Sequence, residues 1–219
     1  MKRAKEKERI RKISQLLAKA YPGAKIALRY KTNWELLVAV ILSAQCTDKK
    51  VNEVTARLFK KYRTLEDYVR AKPKEFERDI HATGFFRAKT KAILTTAKIL
   101  KEKFNGRVPK TMQEMLTLRG VARKTANVVL GNAYGVIEGI AVDTHVRRLS
   151  NRLGLSEHSD PVKIEQDLMK LFPRKEWPSL TYRLIDHGRS VCSAKDPRCD
   201  LCPLSDICPS AFSFPRFKK

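Results

Sequence analysis

Four cysteines near the C-terminus carry the clearest chemical signature in the sequence. Cys192, Cys199, Cys202 and Cys208 follow the spacing C-x6-C-x2-C-x5-C, whereas Cys46 stands alone far upstream. Closely spaced thiolates in a loop-rich segment can surround one soft metal centre. Zinc sites made of four cysteines usually contain two C-x2-C pairs, and this chain has one such pair with unequal gaps beside it. The spacing therefore favours a 4Fe-4S cluster, with zinc as the alternative.

A second chemical feature is the segment from Leu118 to Asn127, where a glycine separates the end of one predicted helix from the start of the next. Its central residues are Arg119, Gly120, Val121, Ala122, Arg123 and Lys124. The amides at a helix N-terminus behind a glycine turn form an anion site that suits a DNA phosphate. Lys124 lies in the first turn of the second helix, where the helix dipole and partial burial would favour its neutral, nucleophilic amine. A lysine that only binds phosphate fits the same position.

An acidic residue, Asp143, follows three apolar residues at another predicted helix start. Its carboxylate could face a cleft and stabilise a cationic transition state at a sugar carbon. It could equally be only an N-cap. The separation of Asp143 from Lys124 in sequence gives no evidence that the two side chains meet.

Helices must position these groups, because capping residues and 3–4 apolar spacing recur along the chain. A long helix is expected from about Phe86 to Phe104. Predicted helix starts lie, in chain order, at Asn33, Thr47, Thr64, about Phe86, Thr111, about Arg123 and Asp160. Paired strand signals are missing from the sequence. The predicted fold class is therefore all-α.

The composition indicates a polyanionic partner. The 219 residues include 46 Lys and Arg against 23 Asp and Glu, a formal charge of +23, and the sequence pI is about 10.1. Such an excess favours nucleic acid, although a merely basic surface has the same composition. An apolar stretch long enough for a membrane span or a signal peptide is missing. We therefore expect a cytoplasmic, nucleoid-associated protein with reduced thiols.

Four segments together resemble the endonuclease III family. They are L-S-A-Q-C-T-D at 42–48, the hairpin at 118–127, A-V-D-T-H-V at 141–146 and the cysteine segment at 192–208. They occur in the family's order and cover almost the whole chain. The resemblance implies a two-lobed helix–hairpin–helix DNA glycosylase fold with a C-terminal 4Fe-4S cluster loop. It further implies a monomeric base-excision DNA glycosylase and AP lyase, whose partner is double-stranded DNA with a damaged pyrimidine or an abasic site.

The resemblance also implies a division into domains. Residues 26–136 would form the central helical bundle with the helix–hairpin–helix. Residues 1–25 and 137–219 would form a discontinuous helical iron–sulfur domain, with the DNA cleft between the lobes.

Individual roles follow from the resemblance position by position. Lys124 corresponds to the nucleophile and Asp143 to the catalytic carboxylate. Gln45 corresponds to the residue that fills the gap left by the extruded nucleotide, and Phe85 to a wedge side chain. If the resemblance is set aside, Gln45 is interpreted as an amide at a helix end and Phe85 as an aromatic residue of the core. Further DNA contacts are implied at Arg119, Gly120, Val121, Ala122, Arg123 and Lys195, and a base pocket at Asp48 and His145.

The hairpin departs from the family pattern L-P-G-V-G-x-K at two positions. Arg119 replaces the proline, which removes a preset φ, and Ala122 replaces the second glycine, which adds a methyl group where backbone approaches phosphate. Ala122 fits comfortably only if its φ is negative. Arg119 can compensate by adding a phosphate contact.

Two other functions fit part of the pattern. A monofunctional mismatch glycosylase on the same scaffold would hydrolyse with water, but such branches typically lack a lysine at the position of Lys124. A non-catalytic DNA-binding module stabilised by a metal would explain the charge, the hairpin and the cysteines without any reaction.

Overall fold

The computed structural model describes residues 2–217, and this part of the chain contains helices and no strand. It divides into two compact units. One unit is Ala27–Glu138, and the other joins the residues before Ala27 to those after Glu138. The roles predicted for the domains stay predictions, and residues 1, 218 and 219 of the predicted iron–sulfur domain lie outside the described part.

The predicted all-α class is confirmed by the order of elements. The α-helices of the described chain are α1 (Lys2–Ala20), α2 (Asn33–Leu42), α3 (Asp48–Lys61), α4 (Leu65–Arg70), α5 (Pro73–Ile80), α6 (Phe86–Lys103), α7 (Met112–Met115), α8 (Arg123–Tyr134), α9 (Thr144–Arg152), α10 (Pro161–Leu171) and α11 (Trp177–Ser190). Short 3-10 turns lie at His81–Thr83, Arg174–Glu176, Cys199–Leu201, Ser205–Ile207 and Pro215–Phe217. Within the described residues, none of the helices combines the length and apolarity that a membrane crossing requires.

Most of the predicted helix starts are confirmed by their caps. Thr47 and Asp160 accept bonds from first-turn amides of α3 and α10. At Thr64 the capping box is reciprocal, because the Asp67 side chain accepts from the Thr64 amide in return. The predicted cap at Asn33 is wrong by one residue. Thr32 has the extended backbone of a cap and accepts from the Glu35 amide at 3.1 Å, while Asn33 is already helical.

The unit Ala27–Glu138 is built around α2. This helix contacts α3, α6 and α8, and all of its residues from Leu36 to Leu42 are buried. A helix enclosed on every side must be apolar on every side, which explains the near-uniform apolar sequence of this segment.

The other unit has a core of its own. In it α11 packs against α1 and α9, and α9 packs against α10. The buried side chains of this core include Ile13, Leu17, Val146, Leu149, Ile164, Leu168 and Leu184. The cysteine segment follows α11 directly and packs Leu204 into the same core.

Candidate functional site

The predicted hairpin is a tight turn that lies directly on α6. Gly120 has a φ of 77°, and a Cβ atom there would lie only 2.7 Å from the Cβ of Ala92. Glycine is therefore required both for the left-handed backbone and for the close approach to α6. Next to it, Thr96 Oγ1 donates to the carbonyl oxygen of Arg119 at 3.0 Å. The hairpin is thus held on α6 by packing and by a hydrogen bond.

Lys124 is the second residue of α8, as predicted, and its side chain is exposed. The expected partial burial is wrong for the free protein, because α8 buries the opposite face with Ala126, Val129 and Leu130. The cap before this helix, Ala122, has φ −93° and ψ 171°. Its φ is negative, so alanine fits this position without strain. An exposed lysine beside first-turn amides is accessible to a bound polyanion.

The Asp143 side chain is the N-cap of α9. Its Oδ1 accepts from the amide of Val146 at 2.8 Å, and the residue is half-buried. The simpler interpretation of Asp143 as a cap is therefore correct as local structure. A cap bond on Oδ1 fixes the orientation of the carboxylate, which is compatible with a catalytic role. Lys124 and Asp143 belong to different units, and their pairing stays a prediction.

His145 contributes to the packing of α9 against α11. Its Nδ1 lies 3.1 Å from Arg148 Nη2, and a Cβ at Gly188 would lie 2.8 Å from the same Nδ1. Burial lowers the pKa of His145, which the nearby Asp143 partly opposes. Asp48, its predicted companion in a base pocket, is the half-buried first residue of α3. Both roles in a base pocket stay predictions.

Gln45 and Phe85 share an unusual backbone. Their φ angles are 51° and 46°, in the left-handed region that costs a non-glycine residue about 1 to 2 kcal/mol. Phe85 is 64% exposed, so its interpretation as a core aromatic residue is wrong. Gln45 is exposed and lies beyond the end of α2 at Leu42. Residues of this kind cluster at functional sites, although the exposed residues Asn105 and Phe212 share the same conformation. The sequence carried no sign of this strain.

The four predicted ligands line one cavity. Its walls include Cys192, Cys199, Cys202 and Cys208. All four thiols are free rather than paired in disulfides. Within residues 2–217, no group of three His, Cys, Asp or Glu side chains is arranged to hold a metal ion.

Polar groups around the cavity point at the sulfur atoms. Arg152 Nη1 lies 3.2 Å from Cys192 Sγ, and the amide of Leu204 lies 3.4 Å from Cys202 Sγ. His187 Nε2 lies 3.5 Å from the same sulfur, and burial lowers the pKa of His187 to about 4. Its ring is therefore neutral at pH 7.

Burial also acts on the cavity thiols. It raises the pKa of Cys202 to about 11, and it raises the pKa of Cys208 as well. These thiols would remain protonated at pH 7 without a metal to bind them as thiolates. Sequence reasoning missed His187 and Arg152 as cavity residues. The only available signal was the short distance of His187 from Cys192 along the chain.

Comparison with known proteins places the chain among DNA repair proteins. Residues 38–174 match the HhH-GPD superfamily of base excision DNA repair proteins. Endonuclease III of Synechocystis sp. is 51% identical over 96% of both chains, and endonuclease III of Bacillus subtilis is 46% identical over 86% of both. A non-covalent endonuclease III–DNA complex matches with a TM-score of 0.92 at 44% identity, over 97% of this chain and 99% of that chain.

Two further solved structures extend the comparison. A trapped covalent endonuclease III–DNA intermediate matches with a TM-score of 0.92, again at 44% identity over 97% of this chain and 99% of that chain. A thermostable thymine-DNA glycosylase has a TM-score of 0.84 at 20% identity, over 94% of this chain and 98% of that chain, which shows a shared fold alone.

The chain therefore belongs to the endonuclease III family of the HhH-GPD base excision DNA repair proteins. The resemblance inferred from the four sequence segments is confirmed, and so is the helix–hairpin–helix glycosylase fold. The predicted enzyme class, DNA glycosylase with AP lyase activity, is confirmed as well.

Proposed function

We propose that the protein removes oxidised pyrimidines from double-stranded DNA and cleaves the strand at the resulting abasic site, with Lys124 as nucleophile. The observation that carries this proposal is the exposed position of Lys124 in the first turn of α8, beside a hairpin held on α6. The solved relative that was trapped as a covalent DNA intermediate supports it at 44% identity. The formal charge of +23 suits a DNA partner, and the location that we propose with it is cytoplasmic and nucleoid-associated.

The reaction begins when the neutral amine of Lys124 attacks C1′ of the damaged nucleotide. The C1′–N bond breaks, and the base leaves with the electron pair and takes up a proton. Asp143 stabilises the positive charge that develops on the sugar in this step. The C1′–O4′ bond of the sugar ring then breaks, O4′ keeps the electron pair and takes up a proton, and the lysine nitrogen forms a double bond to C1′ as a protonated Schiff base.

The Schiff base makes strand cleavage possible. It acidifies C2′, and loss of a C2′ proton sends the electron pair toward C1′. The C3′–O bond then breaks, and the 3′ phosphate leaves with that bond's electrons. Water finally hydrolyses the imine and releases Lys124. Each step needs the damaged nucleotide to be extruded from the duplex first.

The remaining predicted residues would hold the DNA. The hairpin from Arg119 to Arg123 offers side-chain charges and helix-start amides to a phosphate. Gln45 would fill the gap left by the extruded nucleotide, and Phe85 would separate the neighbouring bases. Asp48 and His145 would line the base pocket, and Lys195 would contact the sugar–phosphate backbone of the DNA.

The cysteine-lined cavity fits a 4Fe-4S cluster. A cubane binds each thiolate at a different iron, so its ligands surround a cavity rather than converge on one ion. Cys192, Cys199, Cys202 and Cys208 would hold it, and Arg152 would donate to a ligand sulfur, as such second-shell donors do. When bound, the cluster supplies a covalent cross-link within the segment that carries Lys195. Iron analysis with visible absorption tests this assignment, and zinc without iron would contradict it.

Borohydride trapping tests the proposed reaction. A labelled duplex with one thymine glycol and a second duplex with one abasic site are incubated with wild type, Lys124→Gln and Lys98→Gln, an exposed lysine on α6 that serves as the matched control. We expect a covalent adduct with wild type and Lys98→Gln, and none with Lys124→Gln. An abasic product on an uncut strand, without any adduct, would show hydrolysis by water and contradict the lysine mechanism. Trapping on the abasic duplex alone would contradict the assignment to oxidised pyrimidines.

A further inference from the structure

Lys89 of α6 is buried, with only 4% of its surface exposed. Lysine is almost never this buried unless its ammonium group is paired. Its Nζ donates to the carbonyl oxygen of Leu42 at 2.8 Å and to that of Thr83 at 2.8 Å. Burial lowers the pKa of Lys89, and the nearby thiol of Cys46 opposes that shift. Two short bonds to carbonyls compensate for much of the lost hydration.

The two carbonyl groups belong to residues that shortly precede two different loop positions, Gln45 and Phe85. Leu42 is the last residue of α2, three positions before Gln45. Thr83 is the last residue of the 3-10 turn His81–Thr83, two positions before Phe85. One ammonium group therefore connects the loop after α2, which carries Gln45, with the loop before α6, which carries Phe85. All of these residues belong to the unit Ala27–Glu138.

Each of the two loops contains a residue whose unfavourable backbone conformation must be held by its surroundings. Gln45 and Phe85 have left-handed backbones, so each loop has more relaxed conformations available to it. The loop before α6 is linked to Lys89 a second time, because the amide of Lys89 donates to the carbonyl oxygen of Phe85 at 3.1 Å. Lys89 thus contacts the second loop on both sides of Gly84.

We propose that Lys89 is a positioning residue, which holds the Gln45 loop and the Phe85 loop in a fixed mutual arrangement so that both side chains enter the duplex together. The DNA part of this inference rests on the proposed function. A preorganised pair of loops lowers the entropy cost of extruding the nucleotide. Loss of the connection therefore slows extrusion, and it leaves the phosphate contacts of undamaged DNA unaffected.

Hydrogen exchange on the free protein tests the connection without DNA. Lys89→Met keeps an apolar stem of similar length and removes the donors, and Lys89→Gln provides a second variant in case the first fails to fold. Lys98→Met, at an exposed position of the same helix, is the matched control. We expect at least tenfold faster exchange of the amides of Cys46 and Gly84 together in both Lys89 variants, and wild-type exchange in Lys98→Met. Faster exchange in one loop only, or in neither, would overturn the proposal.

Stopped-flow fluorescence tests the consequence for DNA. A duplex carries 2-aminopurine beside a thymine glycol, and its fluorescence rises when the neighbouring nucleotide leaves the stack. The rate of this rise should fall at least tenfold in Lys89→Met, while the affinity for undamaged duplex stays within twofold of wild type. Loosened loops with a wild-type rate would overturn the positioning role. A wild-type protein that gives no rise would instead contradict the proposed function, and the exchange data would still decide whether Lys89 connects the loops.

Discussion

The hairpin and the cysteine segment are positioned in different ways. The hairpin is fixed by the protein itself, through the contact of Gly120 with Ala92 and the bond from Thr96 to the Arg119 carbonyl. The cysteine segment consists of short 3-10 turns around a cavity lined by four thiols, and Arg152 of α9 donates to the carbonyl oxygens of Ser193 and Ala194 at 2.6 and 2.8 Å. The protein's own contacts therefore fix the hairpin, whereas we expect the proposed cluster to add to the contacts that hold the cysteine segment.

The largest effect is expected from removing a ligand of the proposed cluster. In Cys202→Ser the iron content should fall to below about a tenth of wild type, because a cubane with an incomplete ligand set is lost on purification. Hydrogen exchange should rise throughout residues 190–208 and stay unchanged at the hairpin amide of Val121. Cys46→Ser, which removes the cysteine outside the cavity, is the matched control and should retain its iron. Equal loss of protection in both regions would contradict the independence of the hairpin.

A smaller effect is expected at the turn of the hairpin. Gly120→Ala forces a methyl group to within 2.7 Å of the Ala92 Cβ and a φ of 77° onto an alanine. We expect a loss of about 1 to 3 kcal/mol in the free energy of unfolding, with full iron content, measured by urea denaturation. Gly23→Ala is the control, because a Cβ at Gly23 meets no atom within 4 Å. Equal stabilities of the two variants would show that the close contact with α6 is unimportant.

The smallest effect concerns Arg119, one of the two residues that distinguish this hairpin from the family pattern. If Arg119 contacts a phosphate, Arg119→Ala should lower the slope of log affinity against log salt by about 1, with little change in stability. Fluorescence anisotropy with undamaged duplex at several salt concentrations measures this slope. Arg63→Ala, an exposed arginine beyond α3, should leave the slope unchanged. An unaltered slope in Arg119→Ala would remove Arg119 from the DNA contacts.

The features that the sequence predicted well are local ones. The caps at Thr47, Thr64 and Asp160 depend on a few neighbouring residues, so their patterns can be recognised from the sequence alone. Thr32 and Asn33 are both good caps, and only the backbone conformation decides between them. The spacing of the cysteines likewise predicted a common site, and the cavity brings all four together.

Features that depend on tertiary packing could not be predicted from the sequence. The exposure of Lys124 follows from which face of α8 is buried, which the pattern around the hairpin did not settle. The burial of Lys89 contradicts the usual behaviour of lysine and depends on carbonyl groups of two distant segments. The left-handed backbones of Gln45 and Phe85 are imposed by their loops, because neither residue type favours that conformation.

The central claim is that Lys124 forms the covalent bond with DNA, and the attachment site of the trapped adduct tests it most directly. Wild-type protein is trapped on the abasic duplex with borohydride, digested with nuclease and protease, and mapped by tandem mass spectrometry. The account predicts a reduced sugar remnant on the side chain of Lys124. A remnant on any other lysine, or on the terminal amine, would contradict it.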